Sequence, residues 1–258
     1  MSSIHRKALA RWLDDLLEPW RYKDYCPNGL QLQGRADIKT IITGVTASQA
    51  LIDAAIEKDA DAILVHHGWF WKNEDPCIVG MKQRRIAAAL AHGLNVFAYH
   101  LPLDGHPVFG NNTQLGLQLG FELDRDAEGE LVRTGPHNLI QLGRLKAPQT
   151  LAQVAAHTEK VLQRPPHYVG NPQHKVHTVA WCTGGAQGFM PDAIAAEVDL
   201  YITGEASEHS YHYAVENETA FMAAGHHATE RYGAKALGEH LAEHFGVQVE
   251  FIDIDNPF

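Results

Sequence analysis

Two distant stretches of this chain have the same local design. Ala60-Asp-Ala-Ile-Leu-Val-His-His67 aligns with Val198-Asp-Leu-Tyr-Ile-Thr-Gly-Glu205. Each is an acid followed by a short, nearly continuous apolar run, the pattern of a strand buried on both faces of a parallel sheet. The neighbours repeat as well. Thr40-Ile-Ile-Thr-Gly-Val-Thr46 reads as a strand, Ala47 to Lys58 as a helix, Met81 to His92 as a helix and Asn95-Val-Phe-Ala-Tyr99 as a strand. In the second half, Thr178-Val-Ala-Trp-Cys-Thr183 is a strand, Met190 to Glu197 and His209 to Glu216 are helices, and Thr219-Ala-Phe-Met-Ala-Ala224 is a strand. Strand–helix alternation is the grammar of an α/β fold, and its recurrence predicts an internal duplication. The expected fold is therefore α/β, with two similar halves, residues 1–125 and 126–258. The last helix and strand, about 230–258, are free to pack on the first half.

The linking region is not a plain linker. Between residues 124 and 172 it holds a predicted strand, Asn138 to Gly143, and a predicted helix, Leu151 to Leu162. Gly246 to Ile254 alternates apolar and polar residues and predicts a closing strand, while Leu9, Trp12, Leu13, Leu16 and Leu17 form the stripe of an amphipathic helix. That stripe is interrupted by Asp14 and Asp15, so it is no secretory signal, and no apolar run approaches a membrane span. A formal charge of −10 argues against nucleic-acid backbone binding. Three widely spaced cysteines form neither a disulfide framework nor a metal knuckle, so reduced thiols and a cytoplasmic location are expected.

The chemistry-bearing residues fall at the strand ends. In parallel α/β sheets, ligands bind beyond the carboxyl ends of the strands. His66 and His67 end one predicted strand, His100 and Asp104 follow another, and Glu205, His226 and Glu230 follow two more. Imidazoles and carboxylates of this kind ligate borderline divalent metals. His226 and Glu230, four residues apart, share a face if Gly225-His-His-Ala-Thr-Glu230 opens the last helix. Adjacent His66 and His67 reach one site only if the strand has ended, which Gly68 permits; otherwise each serves one of two metals. Two ions about 3.5–4 Å apart, with Glu230 as bridge, would activate a water for hydrolysis. His100 reads as a helper or substrate-contacting histidine, and a direct ligand role stays open. Glu205 and Glu208 are candidate acids or bases. His227 reads as structural, as do most of the 17 histidines. Trp69-Phe-Trp71 is open between a stacking surface, a lid and a subunit contact. Asn111 and Asn112 read as a helix N-cap, and Thr183-Gly-Gly-Ala-Gln-Gly188 as a tight turn.

Seven motifs together, Pro27-Asn-Gly-Leu-Gln31, Thr43-Gly-Val-Thr-Ala-Ser48, His66-His-Gly68, His100-Leu-Pro-Leu-Asp104, Gly110-Asn-Asn112, Ile202-Thr-Gly-Glu205 and Gly225-His-His-Ala-Thr-Glu230, resemble the NIF-three family, the GTP cyclohydrolase 1 type 2 homologues, in their short bacterial form. The resemblance implies that the two α/β halves face each other around a metal cleft with a dinuclear site, with His67 and Asp104 on one ion, His66 and His226 on the other, and Glu230 on both. It also implies a ring-shaped homo-hexamer. Metal identity stays open among Zn, Fe, Mn, Co and Ni. The expected activity is hydrolysis of a small nucleotide-like or heterocyclic substrate by a metal-bound water, with Glu230, His100 and Glu205 as candidate catalytic groups. The rival is a metal-binding or interaction protein without catalysis. No GxSxG is present, and no cysteine has a histidine partner at motif spacing.

Overall fold

The structure, a computed structural model, describes residues 2–258. It divides into two compact units, Met1–Leu103 with Gly233–Asp255, and Asp104–Tyr232 with Asn256–Phe258. The division thus falls after Leu103 and not at the expected 125/126. The reason is local: the helix Asn111–Gln118 and the short strand Glu122–Leu123 belong to the second sheet, the strand pairing with Gly143 and Arg144.

Unit 1 opens with β1 (Ile4–His5) and α1 (Arg6–Leu17), whose stripe Leu9, Leu13 and Leu17 is buried. Then come β2 (Gly29–Leu32), β3 (Asp37–Ile38), β4 (Thr40–Thr46), α2 (Gln49–Glu57), β5 (Ala62–His67), α3 (Gly80–Ala91) and β6 (Asn95–Ala98), which leads into α4 (Leu101–Gly105). Ser48 caps α2 by accepting from the Leu51 amide. Its sheet runs β4, β5, β6 in parallel, with β2 antiparallel at one edge. The core gathers Ile42, Leu51, Ile52, Ile63, Val65, Trp69 and Val96.

Unit 2 holds α5 (Asn111–Gln118), β7 (Glu122–Leu123), β8 (Arg133–Thr134), β9 (Ile140–Thr150), α6 (Leu151–Leu162), β10 (His167–Val169), β11 (Lys175–Trp181), α7 (Met190–Ala195), β12 (Leu200–Thr203), α8 (Glu208–Glu216) and β13 (Ala220–Ala223). A reciprocal Thr150–Gln153 capping box starts α6 where the sequence predicts it. Strands β11, β12 and β13 are parallel, with β10 antiparallel at the edge. Trp181, Val179, Leu200, Ile202 and Met222 centre its core.

The duplication extends to single hydrogen bonds. In unit 1 the Lys39 and Thr40 amides donate to Asp61 Oδ2, and the Asp61 amide donates back to Thr40 O. In unit 2 the His177 and Thr178 amides donate to Asp199 Oδ2, and the Asp199 amide donates back to Thr178 O. Tyr99 N to Val65 O is matched by Ala224 N to Thr203 O. The two sheets differ at the other edge: β11 is flanked by antiparallel β9, and β4 by a parallel strand from the chain's end.

That end departs from one expectation. The last helix does not begin at His226. A single turn, α9 (His226–Thr229), ends at Glu230, and α10 (Arg231–Phe245) follows before β14 (Gln248–Phe251) pairs with β4. Glu230 sits at the junction with φ −105° and ψ 7°. Among the described residues no helix is long and apolar enough to cross a membrane.

Candidate metal centre

In unit 1 the imidazoles come from the carboxyl ends of β5 and β6. The β5–β6 ladder stops at Val65–Ala98, while the β4–β5 ladder runs on to Thr46–His67. His66 and His67 are therefore still in the strand, so the condition under which the sequence lets both reach one site, that the strand has ended, is not met. Released from β6, they bring their rings to 4.4 Å between centroids. His100 joins them at 5.0 Å from His66 and 5.7 Å from His67. Ligand nitrogens of all three lie within 4.8 Å of one another.

Sequence reasoning missed what holds them. His66 Nδ1 lies 3.1 Å from Tyr99 O, and His67 Nδ1 lies 3.2 Å from Thr46 Oγ1. His100 Nδ1 lies 2.8 Å from Asp24 Oδ1, and Asn28 Oδ1 accepts the His100 amide. Asn28 also donates to Asp24 Oδ2, which gives the Pro27–Gln31 motif a job. Burial works to raise the Asp24 pKa, but its bonds to His100, Asn28 and the Leu101 amide bring it down to about 2. The only early signal for Asp24 is its nearness to that motif. Cys26 is a second omission. Its Sγ, Asp24 and His100 lie within 4.8 Å of one another, a cysteine–histidine approach that sequence spacing hides.

The aromatic loop, whose role the sequence leaves open, packs in part within unit 1. Trp69 is buried, its Nε1 donating to Ala47 O and its amide to Gln31 Oε1. Trp71 is half-buried and meets His100 edge-on, 5.1 Å between centroids, with Tyr25 at 5.3 Å from the same ring. The apolar character of the loop is spent inside unit 1, so it no longer argues for a subunit contact.

In unit 2 the carboxylates dominate. Asp104 and Glu230 are both buried, with carboxylate oxygens within 4.8 Å of each other. Asp104 Oδ1 accepts from Asn111 Nδ2 and Thr183 Oγ1. Asn111 is thus no N-cap: Gly110 holds that position without a side-chain bond, and Asn112 reaches Leu139 O and the Thr183 amide. Gly110 suits the place because a Cβ there would strike the backbone of His106. His226 lies between two acids, Nδ1 2.6 Å from Glu205 Oε1 and Nε2 3.2 Å from Glu230 Oε2. Burial pulls its pKa down, but the bonds and charge of Glu230 and then Glu205 carry it up to about 9. Glu205 therefore reads as the group that orients His226. Glu208 stands apart, paired with His212 on an exposed helix face.

Behind the carboxylates is Cys182, whose pKa is pushed well up by burial and then by the charges of Asp104 and Glu230. A buried thiol held in its protonated form is a poor nucleophile. Three amides of the Thr183–Gly188 turn are used within unit 2, Thr183 N by Asn112, Gly184 N by Thr229 and Ala186 N by Thr203, in keeping with a tight turn. Gly184 has φ +68°, and a Cβ there would meet Glu230 and His226. The turn makes room for those two donors. His227 is buried, its backbone amide donating to Phe258 O.

Comparison with known proteins agrees with this description. The profile of Duf34/NIF3 (NGG1p interacting factor 3) matches residues 4–257. The chain belongs to the NIF3 family. It is 54% identical over 246 residues to a GTP cyclohydrolase 1 type 2 homolog of Neisseria meningitidis serogroup B, covering 95% of this chain and 96% of that one. It is 52% identical over 255 residues to the protein of the same name from Pseudomonas aeruginosa, covering 99% of each. Among solved structures, the protein ybgI, of unknown function, superposes with a TM-score of 0.92 at 44% identity, over 99% of this NIF3 chain and 100% of that one.

Proposed function

We propose that this NIF3 protein is a metal-dependent hydrolase of a small heterocyclic or nucleotide substrate, with two divalent ions held by His66, His67, Asp104, His226 and Glu230. One observation carries the reading: Asp104 and Glu230 are two buried carboxylates within 4.8 Å of each other, beside His226. Buried like charges so close are costly unless neutralised or coordinated to a cation. The donor set fits. Imidazole nitrogens and carboxylate oxygens suit Zn, Fe, Mn, Co or Ni, and the bare Cα of Gly184 keeps space beside two of the donors.

Bound divalent ions would supply a water acidic enough to attack at neutral pH, together with positive charge for the leaving group. The chain's own residues do the rest. Asn111 and Thr183 fix the Asp104 carboxylate, Glu205 fixes the His226 ring, and Thr46 and Tyr99 fix His67 and His66. Trp71, edge-on, and Tyr25, tilted, flank His100 with aromatic groups that suit contact with a planar ring. The name shared by the two bacterial relatives puts GTP first among substrates to test.

The test is elemental analysis followed by hydrolysis assays on GTP and a panel of nucleotides and heterocycles. The expected result is about two divalent ions per chain and turnover abolished by chelators. Asp104→Asn, which keeps the shape and removes the charge, should slow turnover at least about 100-fold. Chelator-resistant turnover, or turnover untouched by Asp104→Asn, overturns the mechanism. Fully loaded protein that hydrolyses nothing on the panel favours a metal-binding protein without catalysis.

A further inference from the structure

We infer that Arg164 is an anion-binding residue beside the unit 2 donors, placed to take a phosphate group of the substrate. The inference rests on the reading above for the place of the reaction and deepens it by naming what the substrate carries.

Topology puts Arg164 at the ligand-binding end of its sheet. Strand β10 pairs antiparallel with β13, His167 opposite Ala223, so the entry to β10 lies at the carboxyl end of β13. Arg164 comes just before that entry, and Gly225 just after β13. A Cβ on Gly225 would lie 2.7 Å from both Cδ and Nε of Arg164. The guanidinium therefore lies against the bare Cα of Gly225, the residue next to His226. Gly225 adopts φ +102°, and its amide donates to the carbonyl of Gly204, the residue before Glu205. The backbone at Gly225 thus joins a cation to the His226–Glu205 pair.

A second, independent observation is that this head group is unpaired. Among the described residues Arg164 forms no hydrogen bond or ion pair, and its Nε is closed off from water without an acceptor. Acceptors are not scarce, since 31 Asp and Glu accompany 21 Lys and Arg. The neighbouring Arg231, by contrast, donates to Leu162 O, and Glu205 is engaged by His226. A buried donor left without an acceptor is costly, and a ligand that supplies the acceptor removes that cost. The backbone also holds Arg164 stiffly. Gln163 before it is left-handed at φ 56°, and Pro165-Pro166 after it restrict both their own φ and the conformation of Arg164. The planar fork of a guanidinium matches two phosphate oxygens at once. Beside Glu205 and Glu230, that cation offsets the repulsion an anionic substrate would otherwise meet.

The experiment measures equilibrium binding to purified full-length protein carrying its own metal, by isothermal titration. Inorganic phosphate and GMP are the probes and guanosine is the control. Wild type should bind GMP at least about tenfold more tightly than guanosine. Arg164→Met keeps a stem over Gly225 and removes the charge. It should weaken phosphate and GMP about 10- to 100-fold and leave guanosine within about twofold. Arg164→Lys, which restores a charge without the fork, should fall between the two. Metal content and the thermal transition should match wild type in both variants, which separates loss of an anion contact from loss of the site or of the fold. The inference is overturned if wild type binds GMP no better than guanosine. It is overturned equally if Arg164→Met leaves phosphate and GMP within about twofold, or weakens guanosine as much as GMP. Where Arg164→Met does not fold, Arg164→Lys decides in its place, and a loss of GMP affinity under about twofold overturns the inference. Protein that binds phosphate through Arg164 yet hydrolyses nothing keeps this inference and loses the hydrolase. Chelator-sensitive turnover with phosphate and GMP binding untouched by Arg164→Met does the reverse.

Discussion

At the scale of single residues, the molecule spends acidic groups on aiming histidines. Asp24 does this for His100 and Glu205 for His226. Glu205→Gln should therefore lower divalent-metal affinity by about 10- to 100-fold while leaving the thermal transition of the metal-free protein nearly unchanged. Isothermal titration with Co(II) or Zn(II) measures this, and wild-type affinity in the variant would return Glu205 to the role of a free acid or base. The candidate donor types were legible in the sequence, because histidines and acids cluster after apolar runs. Their supports were not. Asp24 lies far along the chain from His100 and reaches it only because β2, close after it, pairs with β6. Cys26 came to His100 by the same route, so motif spacing could not reveal it. Asn111 and Asn112 misled for another reason: their position before a helix is what an N-cap looks like, but buried acceptors and donors elsewhere claimed both side chains.

At the scale of elements, the βαβ grammar was readable to within a few residues, since buried parallel strands and amphipathic helices differ in period. The break at Glu230 was not readable. His226, Ala228 and Glu230 all tolerate helix, and only the bonds made by Thr229 to Gly184 and back to Gly225 mark a separate turn. The repeated strand–acid device offers a test at this scale. The Asp199 Oδ2 accepts from the His177 and Thr178 amides and the Thr178 hydroxyl, tying β11 to β12. Burial alone would raise its pKa, but those bonds hold it below the ordinary 3.8. A lowered folded pKa means stability that is present above the unfolded value and lost as pH falls through the folded one. Asp199→Asn should thus cost about 1 kcal/mol at pH 7, with the deficit shrinking as the pH drops below 3.8. Denaturant titrations at pH 7 and pH 3 give both numbers; an equal deficit at the two values would mean the charge is idle.

At the scale of the whole molecule, the two sheets share a four-strand pattern and differ at one edge, yet only the second is nearly continuous in sequence. The first takes its edge strand, β14, from the far end of the chain. Gln248→Pro removes the amide that donates to Lys39 O and should destabilise unit 1 by about 1 to 3 kcal/mol. Hydrogen exchange resolves the effect: amides of β4 and β5 should lose protection while those of β11 and β12 keep theirs. Equal loss in both would mean the units unfold as one. The homo-hexamer implied by the family resemblance is a proposal for sedimentation to test; Trp69 of the aromatic loop is packed within unit 1 and gives it no support.

The borrowed edge strand also sets an order of events on the ribosome. Translation delivers β4, β5 and β6 first, but the flank of β4 stays open until residues 248–251 emerge, after every strand of unit 2 has been made. The half that is synthesised first is therefore the half whose sheet is completed last. Until then it presents an unpaired strand edge in the crowded cell, the kind of surface that recruits wrong partners or chaperones.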